Sequence, residues 1–235
     1  MMPKTRTYFN WSSGKDSALA FYYLLQEGKV TIDRLLTTVN GHYDRVSMHG
    51  LRRNVLEAQA EAIDIPLDIL EVPENSTMDA YNTLMEQKVL DLKSQGYTQT
   101  VFGDIFLEDL KKYREDMLRP LGIQPIFPIW KRDTKELLHE FLDLGFKAVT
   151  VCINNSKLDK SFLGQELSMD FLNALPADVD PCGENGEFHT FCFDGPLFKH
   201  PISFQLGEQK FRAYDNPSDS SKFIQFGFSD VLLIE

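Results

Sequence analysis

The chain has 235 residues, 43% of them hydrophobic and 12% aromatic, which is enough for one main core and a smaller appendage. Its 24 lysines and arginines stand against 35 aspartates and glutamates, so the formal net charge is −11. This charge repels a phosphate backbone and disfavours nucleic acid as a partner, while the ordinary 25% content of charged residues excludes a disordered chain.

Short apolar runs alternate with helical periodicities along the first two thirds of the chain. The pattern predicts strands over 8–11, 32–39, 67–72, 100–102 and 148–153, a short apolar segment over 126–130, and helices over 18–26, 50–63, 77–95, 108–121 and 134–144. Alternation of this kind indicates crossover connections between parallel strands. We therefore expect an α/β fold, with a parallel sheet that carries helices on both faces.

The last third of the chain has a different pattern. A weak helix is predicted over 168–175, a strand over 188–193, and short antiparallel strands over 202–206, 210–214 and 231–234. These elements predict a smaller C-terminal α+β subdomain that begins near residue 130.

The cysteine content and the hydropathy are typical of a protein in a reducing compartment, away from a membrane. Cys152, Cys182 and Cys192 form no CxxC pair and no disulfide framework, as expected in a reducing environment. No apolar run approaches the roughly 18 residues of a membrane span, and the polar N-terminus does not have the pattern of a signal peptide. We expect a cytoplasmic protein without contact to a membrane.

The segment after the first predicted strand contains the first candidate site. It reads Ser12, Ser13, Gly14, Lys15, Asp16, Ser17, and we call it the phosphate loop. Ligands of open parallel sheets bind beyond the carboxyl ends of the strands, and a helix N-terminus at that place favours phosphate. Lys15 adds a cation, and Asp16 is suited to bind Mg²⁺. The alternative is that Ser12 or Asp16 merely caps the helix.

This loop lacks the spacing of a Walker motif. It resembles instead the PP-loop motif of ATP pyrophosphatases, Ser-Gly-Gly-Xaa-Asp-Ser, except that Ser13 replaces the second glycine. If that position requires a positive φ, a serine costs about 1 kcal/mol there. Further segments resemble the diphthine–ammonia ligases and their uncharacterised bacterial and archaeal relatives; these segments are 48–50, 103–105, 128–130, 145–146, 182–191 and 194–198.

The resemblance implies a Rossmann-like sheet of the HUP (adenine nucleotide alpha hydrolase-like) type, with an ATP-binding domain over 1–130 and a substrate-binding subdomain over 131–235. It also implies an AMP-forming ligase that uses ATP and Mg²⁺ to adenylate a carboxylate, which ammonia then converts to an amide. The implied carboxylate is diphthine on elongation factor two of archaea and eukaryotes, and another acceptor in bacteria. A homodimer is compatible with the sequence.

Three more residues are candidates for nucleotide contacts. Asp104 follows Gly103 at the end of a predicted strand, where it can face the nucleotide and share Mg²⁺ with Asp16, or else cap the next helix. His49 precedes a predicted helix and can meet a phosphate or the adenylated oxygen, although a plain loop histidine is the alternative. Arg114 can clamp pyrophosphate or a carboxylate, or lie on a solvated helix face.

The segment 182–191 carries a second cluster. Glycines permit a turn there, and strand alternation predicts Glu187 and His189 on one face, with Glu184 close by. Carboxylates beside an imidazole can hold an ammonium ion and remove its proton, which makes all three residues candidate catalytic groups together with Lys15 and Asp16. The alternatives are a hydrogen-bonded turn and a zinc site with Cys182, whose spacing is poor for zinc. We expect no structural metal.

Two other functions remain open at the level of the sequence. One is a PP-loop enzyme that modifies tRNA, which the net charge and the unpaired cysteines disfavour. The other is a regulatory module that binds ATP or AMP without turnover. Release of AMP would separate a ligase from the regulatory module, and RNA binding would separate it from the tRNA-modifying enzyme.

Overall fold

A parallel sheet forms the centre of the molecule. The computed structural model describes residues 5–216 and 219–234. The strands of the first sheet are β1 (Arg6–Asn10), β2 (Thr31–Asn40), β3 (Arg45–Val46), β4 (Leu67–Val72), β5 (Tyr97–Val101) and β6 (Gln124–Ile126). Five of them run parallel in the order β4, β2, β1, β5, β6, and β3 pairs antiparallel with the end of β2. The chain changes its direction of travel across the sheet between β1 and β5, which is where α/β sheets bind ligands.

Helices cover both faces of this sheet. The α-helices of the described residues are α1 (Lys15–Glu27), α2 (Arg53–Ile63), α3 (Met78–Ser94), α4 (Glu108–Leu118), α5 (Thr134–Asp143) and the short α6 (Met169–Ala174), whose Phe171 packs on Phe188. Neighbouring residues of one strand point to opposite faces: Phe9 belongs to the core that includes α1 and α2, whereas Tyr8 belongs to the core that includes α3 and α4. The predicted α/β class with helices on both faces is confirmed.

A second sheet packs on the side of α1 and α2. Its strands are β7 (Lys147–Asn154), β8 (Phe188–Asp194), β9 (Phe204–Asn216) and β10 (Asp219–Leu233), antiparallel in the order β8, β7, β10, β9. Phe21 of α1, Leu56 of α2 and Phe191 of β8 belong to one buried cluster. The two parts of the chain therefore share a core, and the division at residue 130 stays a prediction.

Several predicted boundaries are wrong. The strands predicted over 202–206, 210–214 and 231–234 are parts of one long hairpin, β9 and β10. Helix α1 begins three residues before the predicted start, because the Gly14 carbonyl already accepts the helical hydrogen bond of Ala18. The short strand β3 lies in a segment predicted as a loop. Within the described ranges, no helix is both long and apolar enough to cross a membrane.

Candidate active site

A cleft of about 1110 Å³ opens at the carboxyl ends of β1, β2, β4 and β5. Its floor includes the phosphate loop, and helices α3 and α4 form one wall. The turn that precedes β8 forms another wall, so both parts of the chain contribute to the cleft. Most of the predicted site residues line it, namely Ser12, Lys15, Asp16, Ser17, His49, Gly103, Asp104, Arg114, Glu184 and His189.

The backbone of the phosphate loop is strained at Ser13, the position where the PP-loop motif has a glycine. Ser13 has a φ of 75°, which favours glycine, and its side chain is buried with no hydrogen-bond partner for Oγ. Gly14 is the N-cap of α1 and no side chain caps this helix, so the capping alternative for Ser12 and Asp16 does not hold. The hydroxyls of Ser12 and Ser17 bond each other at 2.7 Å.

Gln59, a residue that the sequence analysis did not identify, holds the phosphate loop through hydrogen bonds. It is fully buried in α2, and its Nε2 donates to the carbonyls of Ser13 at 3.0 Å and Cys192 at 2.7 Å. Its Oε1 accepts from the Trp11 indole at 3.1 Å. The Cys192 amide also donates to the Ser13 carbonyl, at 2.9 Å. The strained residue is therefore held by α2 and by β8 together.

Gly103 allows the end of β5 to approach the start of α1. A Cβ atom at this position would lie 3.0 Å from the Ser17 amide nitrogen and 3.1 Å from the Asp16 carbonyl carbon, both of which are backbone atoms. Such backbone contacts cannot yield to a side chain. Gly103 thus brings the next residue, Asp104, to the edge of the phosphate loop.

Lys15 does not extend freely into the cleft. Its Nζ donates to Asp16 Oδ2 at 2.8 Å and to the Cys182 carbonyl, and it lies 5.2 Å from the centre of the Phe188 ring. Burial favours the neutral amine and by itself would lower the pKa of Lys15. The negative charges of Asp16 and Glu184 and the hydrogen bond to Asp16 outweigh burial, so the pKa of Lys15 is raised. The charged ammonium therefore ties the phosphate loop to the turn before β8.

Asp104 and Arg114 form a bidentate ion pair at the rim of the loop. Arg114 donates from Nε to Asp104 Oδ2 at 2.6 Å and from its terminal nitrogen to Oδ1 at 3.0 Å. The guanidinium also lies 4.1 Å from the centre of the Phe102 ring. Asp104 does not cap α4, whose N-cap is Leu107 without a side-chain bond. The structure thus brings these two predicted residues together as partners of each other.

Glu184 lines the same cleft as the phosphate loop. Its Oε1 accepts from the backbone amide of Ile105 at 2.8 Å, which attaches the turn before β8 to the end of β5. Burial and the nearby Asp16 carboxylate raise the pKa of Glu184 to about 7. A carboxyl group with this pKa can both accept and release a proton near neutral pH.

His49 and His189 face each other, with 4.7 Å between their ring centres. His189 lies on β8, and its Nε2 is buried without a hydrogen-bond partner. Burial and the charge of Lys15 lower the pKa of His189 to about 4, and burial together with His189 lowers the pKa of His49 well below its ordinary value. Both imidazoles are therefore neutral at physiological pH, so each ring keeps one acceptor nitrogen.

Glu187 lies apart from the other members of the predicted cluster. It precedes β8, is 3% exposed and does not line the cleft. Its Oε1 accepts from the Asp180 amide and from Asn185 Nδ2, both at 3.2 Å. This is the hydrogen-bonded turn that the sequence left open as an alternative, and the catalytic role of Glu187 stays a prediction.

Asp16 and Asp104, two carboxylates that line the cleft, are the predicted ligands for a magnesium ion. The described residues contain no group of three or more histidine, cysteine, aspartate or glutamate side chains that could hold a metal by themselves. Mg²⁺ bound with a nucleotide needs only one or two carboxylates besides the phosphates. Asp16 meets this requirement because its side chain is 27% exposed and lines the cleft, whereas both oxygens of Asp104 are engaged by Arg114.

Comparison with known proteins places the chain in a family. The model of the diphthamide synthase N-terminal domain matches residues 5–125, and the model of the diphthamide synthase C-terminal domain matches residues 133–217. The chain belongs to the diphthamide synthase family. This result confirms the resemblance that the phosphate loop and the segment 182–191 indicated.

Curated relatives in this family carry the name diphthine–ammonia ligase. The mouse protein is 28% identical over 225 residues, which cover 87% of this chain and 84% of the relative. The human protein is 26% identical over 218 residues, which cover 84% and 82%. A solved structure described as a predicted subunit of tRNA methyltransferase from Methanocaldococcus jannaschii is also similar, with 18% identity, a TM-score of 0.43, and coverage of 63% of this chain and 80% of that one. The relatives support an ATP-dependent ligase like diphthamide synthase.

Proposed function

We propose that the protein is an AMP-forming amide ligase. The carboxylate of an acceptor attacks the α-phosphorus of ATP, pyrophosphate leaves, and ammonia then attacks the adenylated carbonyl carbon and displaces AMP. In the named relatives the acceptor is diphthine, and here we propose a carboxylate without fixing the molecule that carries it. The first part of the chain, 1–130, binds ATP, and the second part, 131–235, completes the acceptor and ammonia site.

One observation supports this function most strongly. A proton acceptor, Glu184, and a neutral hydrogen-bond acceptor, His189, line the same cleft as the phosphate loop, and burial raises the pKa of Glu184 to about 7 and lowers that of His189 to about 4. A site that only binds phosphate has no need of proton acceptors. An amide ligase needs them, because ammonia enters mostly as ammonium and must lose a proton before it becomes a nucleophile.

The residues of the cleft suggest a division of roles. Ser12, Gly14 and Ser17 shape the loop that receives the phosphates, next to the N-terminus of α1. Asp16 would hold Mg²⁺, which neutralises charge on the pyrophosphate that leaves. Lys15 keeps the turn before β8 at the loop. Arg114 and His49, which line the same cleft, would contact the pyrophosphate and the adenylated oxygen.

Glu184 is the base that we assign to ammonium. In its ionised form it accepts one proton from ammonium, and the ammonia that remains forms the new C–N bond while the C–O bond to AMP breaks. The nitrogen loses its second proton to solvent as the tetrahedral adduct collapses to the neutral amide and AMP. Neutral His49 and His189 can accept hydrogen bonds from ammonium without adding a second positive charge. Adenylation and amide formation both rely on the positioning of the reactants and on stabilisation of charge, the two effects that dominate phosphoryl and acyl transfer.

The test measures products and single-turnover rates on matched variants. ATP turnover with Mg²⁺, ammonium and a panel of carboxylates should yield AMP and pyrophosphate, and Asp16→Ala should abolish it without loss of fold. Glu184→Gln should leave ATP affinity near the wild-type value and lower amide formation by about 10²–10⁴-fold. Formation of ADP and phosphate would refute the proposal.

Glu187→Gln is the matched comparison, because it changes the same functional group three residues away and tests the catalytic role that the sequence predicts for Glu187. Both of its bonds go to Oε1, an acceptor that glutamine keeps, and the side chain does not line the cleft, so we expect nearly unchanged turnover per folded molecule. Equal rate losses in Glu184→Gln and Glu187→Gln would show that the turn, and not a proton transfer by Glu184, limits the reaction.

A further inference from the structure

His49 reaches the phosphate loop from a short connection between β3 and α2, residues 46–51, which we call the histidine loop. A Cβ atom at Gly14 would lie 3.2 Å from His49 Nε2, so the imidazole lies against the N-terminus of α1. The other ring nitrogen, Nδ1, lies 3.5 Å from the Ser47 carbonyl, which is too long for a strong hydrogen bond. The position of the imidazole therefore depends on the backbone of the histidine loop.

The backbone of the histidine loop is strained. Met48 has a φ of 64° and Gly50 a φ of 71°, and only glycine adopts such values without cost. Met48 is 68% exposed, so its side chain gains little packing in return. The ends of the loop are joined by the Val46 amide, which donates to the Leu51 carbonyl at 2.8 Å. A strained loop of this kind persists when the surrounding structure holds it.

Two arginines stand at the ends of the histidine loop, and one carboxylate binds both. Arg45 and Arg52 face each other in an antiparallel bridge. Asp230 of β10 accepts from Arg45 Nη1 at 2.8 Å, and from Nε and Nη2 of Arg52 at 3.0 and 2.6 Å. Arg45 Nη1 also donates at 2.7 Å to the carbonyl of Gly50, the residue after His49. Asp230 thus connects both ends of the loop and, through Arg45, its tip.

Asp230 remains ionised in this contact. Its side chain is 15% exposed, and burial by itself would raise its pKa. The hydrogen bonds and charges of Arg52 and Arg45 outweigh burial and lower the pKa of Asp230 to about 2. A carboxylate that is shielded from water and shared by two guanidinium groups forms stronger hydrogen bonds than an exposed ion pair.

Phe228 adds an apolar contact beside this ion cluster. It precedes Asp230 by two residues on β10, so both side chains point to the same face of the strand. A Cβ atom at Gly50 would lie 3.0 Å from Phe228 Cδ1, which shows that the ring rests on the backbone of the histidine loop. Among the described residues, none of β9 or β10 lines the cleft. The hairpin can therefore influence the cleft through the histidine loop.

We propose that Asp230 is a positioning residue of the nucleotide site, which holds His49 against the phosphate loop through Arg45 and Arg52. This inference rests on the nucleotide contact that the proposed function assigns to His49. It adds the last hairpin of the chain to the groups on which ATP binding depends. Asp230 itself touches neither phosphate nor acceptor, so its whole effect passes through His49.

A double-mutant cycle on nucleotide binding tests the proposal without turnover. The Kd of α,β-methylene-ATP, which cannot be cleaved between its α and β phosphates, is measured with Mg²⁺ for the wild type, Asp230→Asn, His49→Ala and the double variant. We expect the Kd to rise about threefold to tenfold in each single variant, the range of one hydrogen bond. The double variant should bind no more weakly than His49→Ala. Arg52→Met, at a side chain that is 44% exposed, repeats the test if Asp230→Asn does not fold.

Asp68→Asn is the matched control. Asp68 also binds two cations, Arg34 at 2.9 Å and Lys88 at 2.7 Å, and its side chain is 17% exposed. It lies near the amino end of β4 and does not line the cleft. The control should lower the melting temperature as Asp230→Asn does and leave the Kd of the nucleotide analogue within about twofold of the wild type.

Hydrogen exchange of a peptide that contains 46–51 supplies a second measurement, made without nucleotide. The amides of Val46 and Gly50 donate within the histidine loop, so both should exchange faster in Asp230→Asn and at the wild-type rate in Asp68→Asn. Unchanged exchange in Asp230→Asn would overturn the proposal, because the loop would then hold its shape without the carboxylate.

Three results of the binding cycle would also overturn it. Additive effects of Asp230→Asn and His49→Ala would show that Asp230 acts by another route. A similar loss of affinity in Asp68→Asn would make the effect one of general stability, and an unchanged Kd in His49→Ala would remove the contact on which the inference rests. If the cycle holds in a protein that releases ADP instead of AMP, the positioning role stands and the ligase function fails.

Discussion

Replacement of Gln59 by leucine should separate the folding of the protein from the geometry of its phosphate loop. Leucine has nearly the same volume but makes none of the three hydrogen bonds of the amide. The Ser13 carbonyl keeps a donor, the Cys192 amide, whereas the Trp11 indole and the Cys192 carbonyl lose the partner that Gln59 supplies. Two buried groups that lose a partner cost about 1–3 kcal/mol each.

The expected loss of stability is therefore roughly 2–6 kcal/mol, which lowers the melting temperature of a chain of this size by on the order of 10 °C. We also expect the KM for ATP to rise more than kcat falls, because Ser13 is held at a positive φ by these bonds and can relax when they are removed. Thermal melts and initial rates as a function of ATP concentration, both below the melting range of the variant, measure the two effects.

Leu138→Ala is the matched control for general destabilisation. Leu138 is buried in α5 and does not line the cleft, and its truncation costs about 2–5 kcal/mol. The control should lower the melting temperature by a similar amount and leave the KM for ATP unchanged. If Gln59→Leu behaves like this control, Gln59 stabilises the fold only; if Gln59→Leu melts like the wild type, the buried bonds do not have the assumed strength.

Two further predictions follow from the same cleft. Ser13→Gly should raise the melting temperature, because glycine adopts the φ of 75° with about 1 kcal/mol less strain and removes a buried hydroxyl without a partner; a lower melting temperature would refute the assigned strain. The pKa of Glu184 is raised to about 7, against 4.5 in an unfolded chain, so between these pH values the folded state keeps a proton that the unfolded state releases. The contribution of this group to stability is therefore fully present below pH 4.5 and is lost as the pH rises to about 7. In urea titrations, Glu184→Gln should therefore gain stability relative to the wild type across this window, and a pH-independent difference would contradict the pKa.

Regular elements were predictable where strong local signals bound them. Strand β4 has the predicted limits because Pro66 precedes it and Pro73 follows it, and proline cannot continue a sheet ladder. Helix α3 begins after Thr77, whose hydroxyl accepts from the Ala80 amide. Such signals act within four residues and need no knowledge of the tertiary structure.

The sequence pattern predicted short separate strands where the structure has one long hairpin. Gly207 separates the two predicted strands, yet it lies inside β9, where a Cβ would stand 3.1 Å from the Cβ of Asp230. The register of β9 and β10 shifts between Ser229 and Val231, opposite this position. A glycine that permits close approach beside a bulge has the same local pattern as a turn glycine, so the sequence alone does not distinguish them.

The candidate site was predictable in its residue types and less so in its contacts. The motif identified the residues of the phosphate loop, and the positive φ of Ser13 agrees with its place in that motif. Gln59 gave no signal, because a polar residue in an amphipathic helix is ordinarily assigned to the solvent face. Strand alternation grouped Glu187 with His189, but β8 begins only at Phe188, so Glu187 belongs to the turn instead.

The contacts of the phosphate loop explain why its geometry depends on the whole chain. Cys192 donates to the Ser13 carbonyl, the Lys15 amide donates to Thr190 Oγ1 at 3.0 Å, and the Ile105 amide donates to Glu184. Each bond joins the first part of the chain to a residue between 184 and 192, far away in sequence. Since these bonds form only when β8 has docked, the geometry of the phosphate loop depends on the position of β8. The same bonds hold Glu184 in the cleft that the phosphate loop lines, so the two proposed steps, nucleotide binding and amide formation, would depend on one set of contacts.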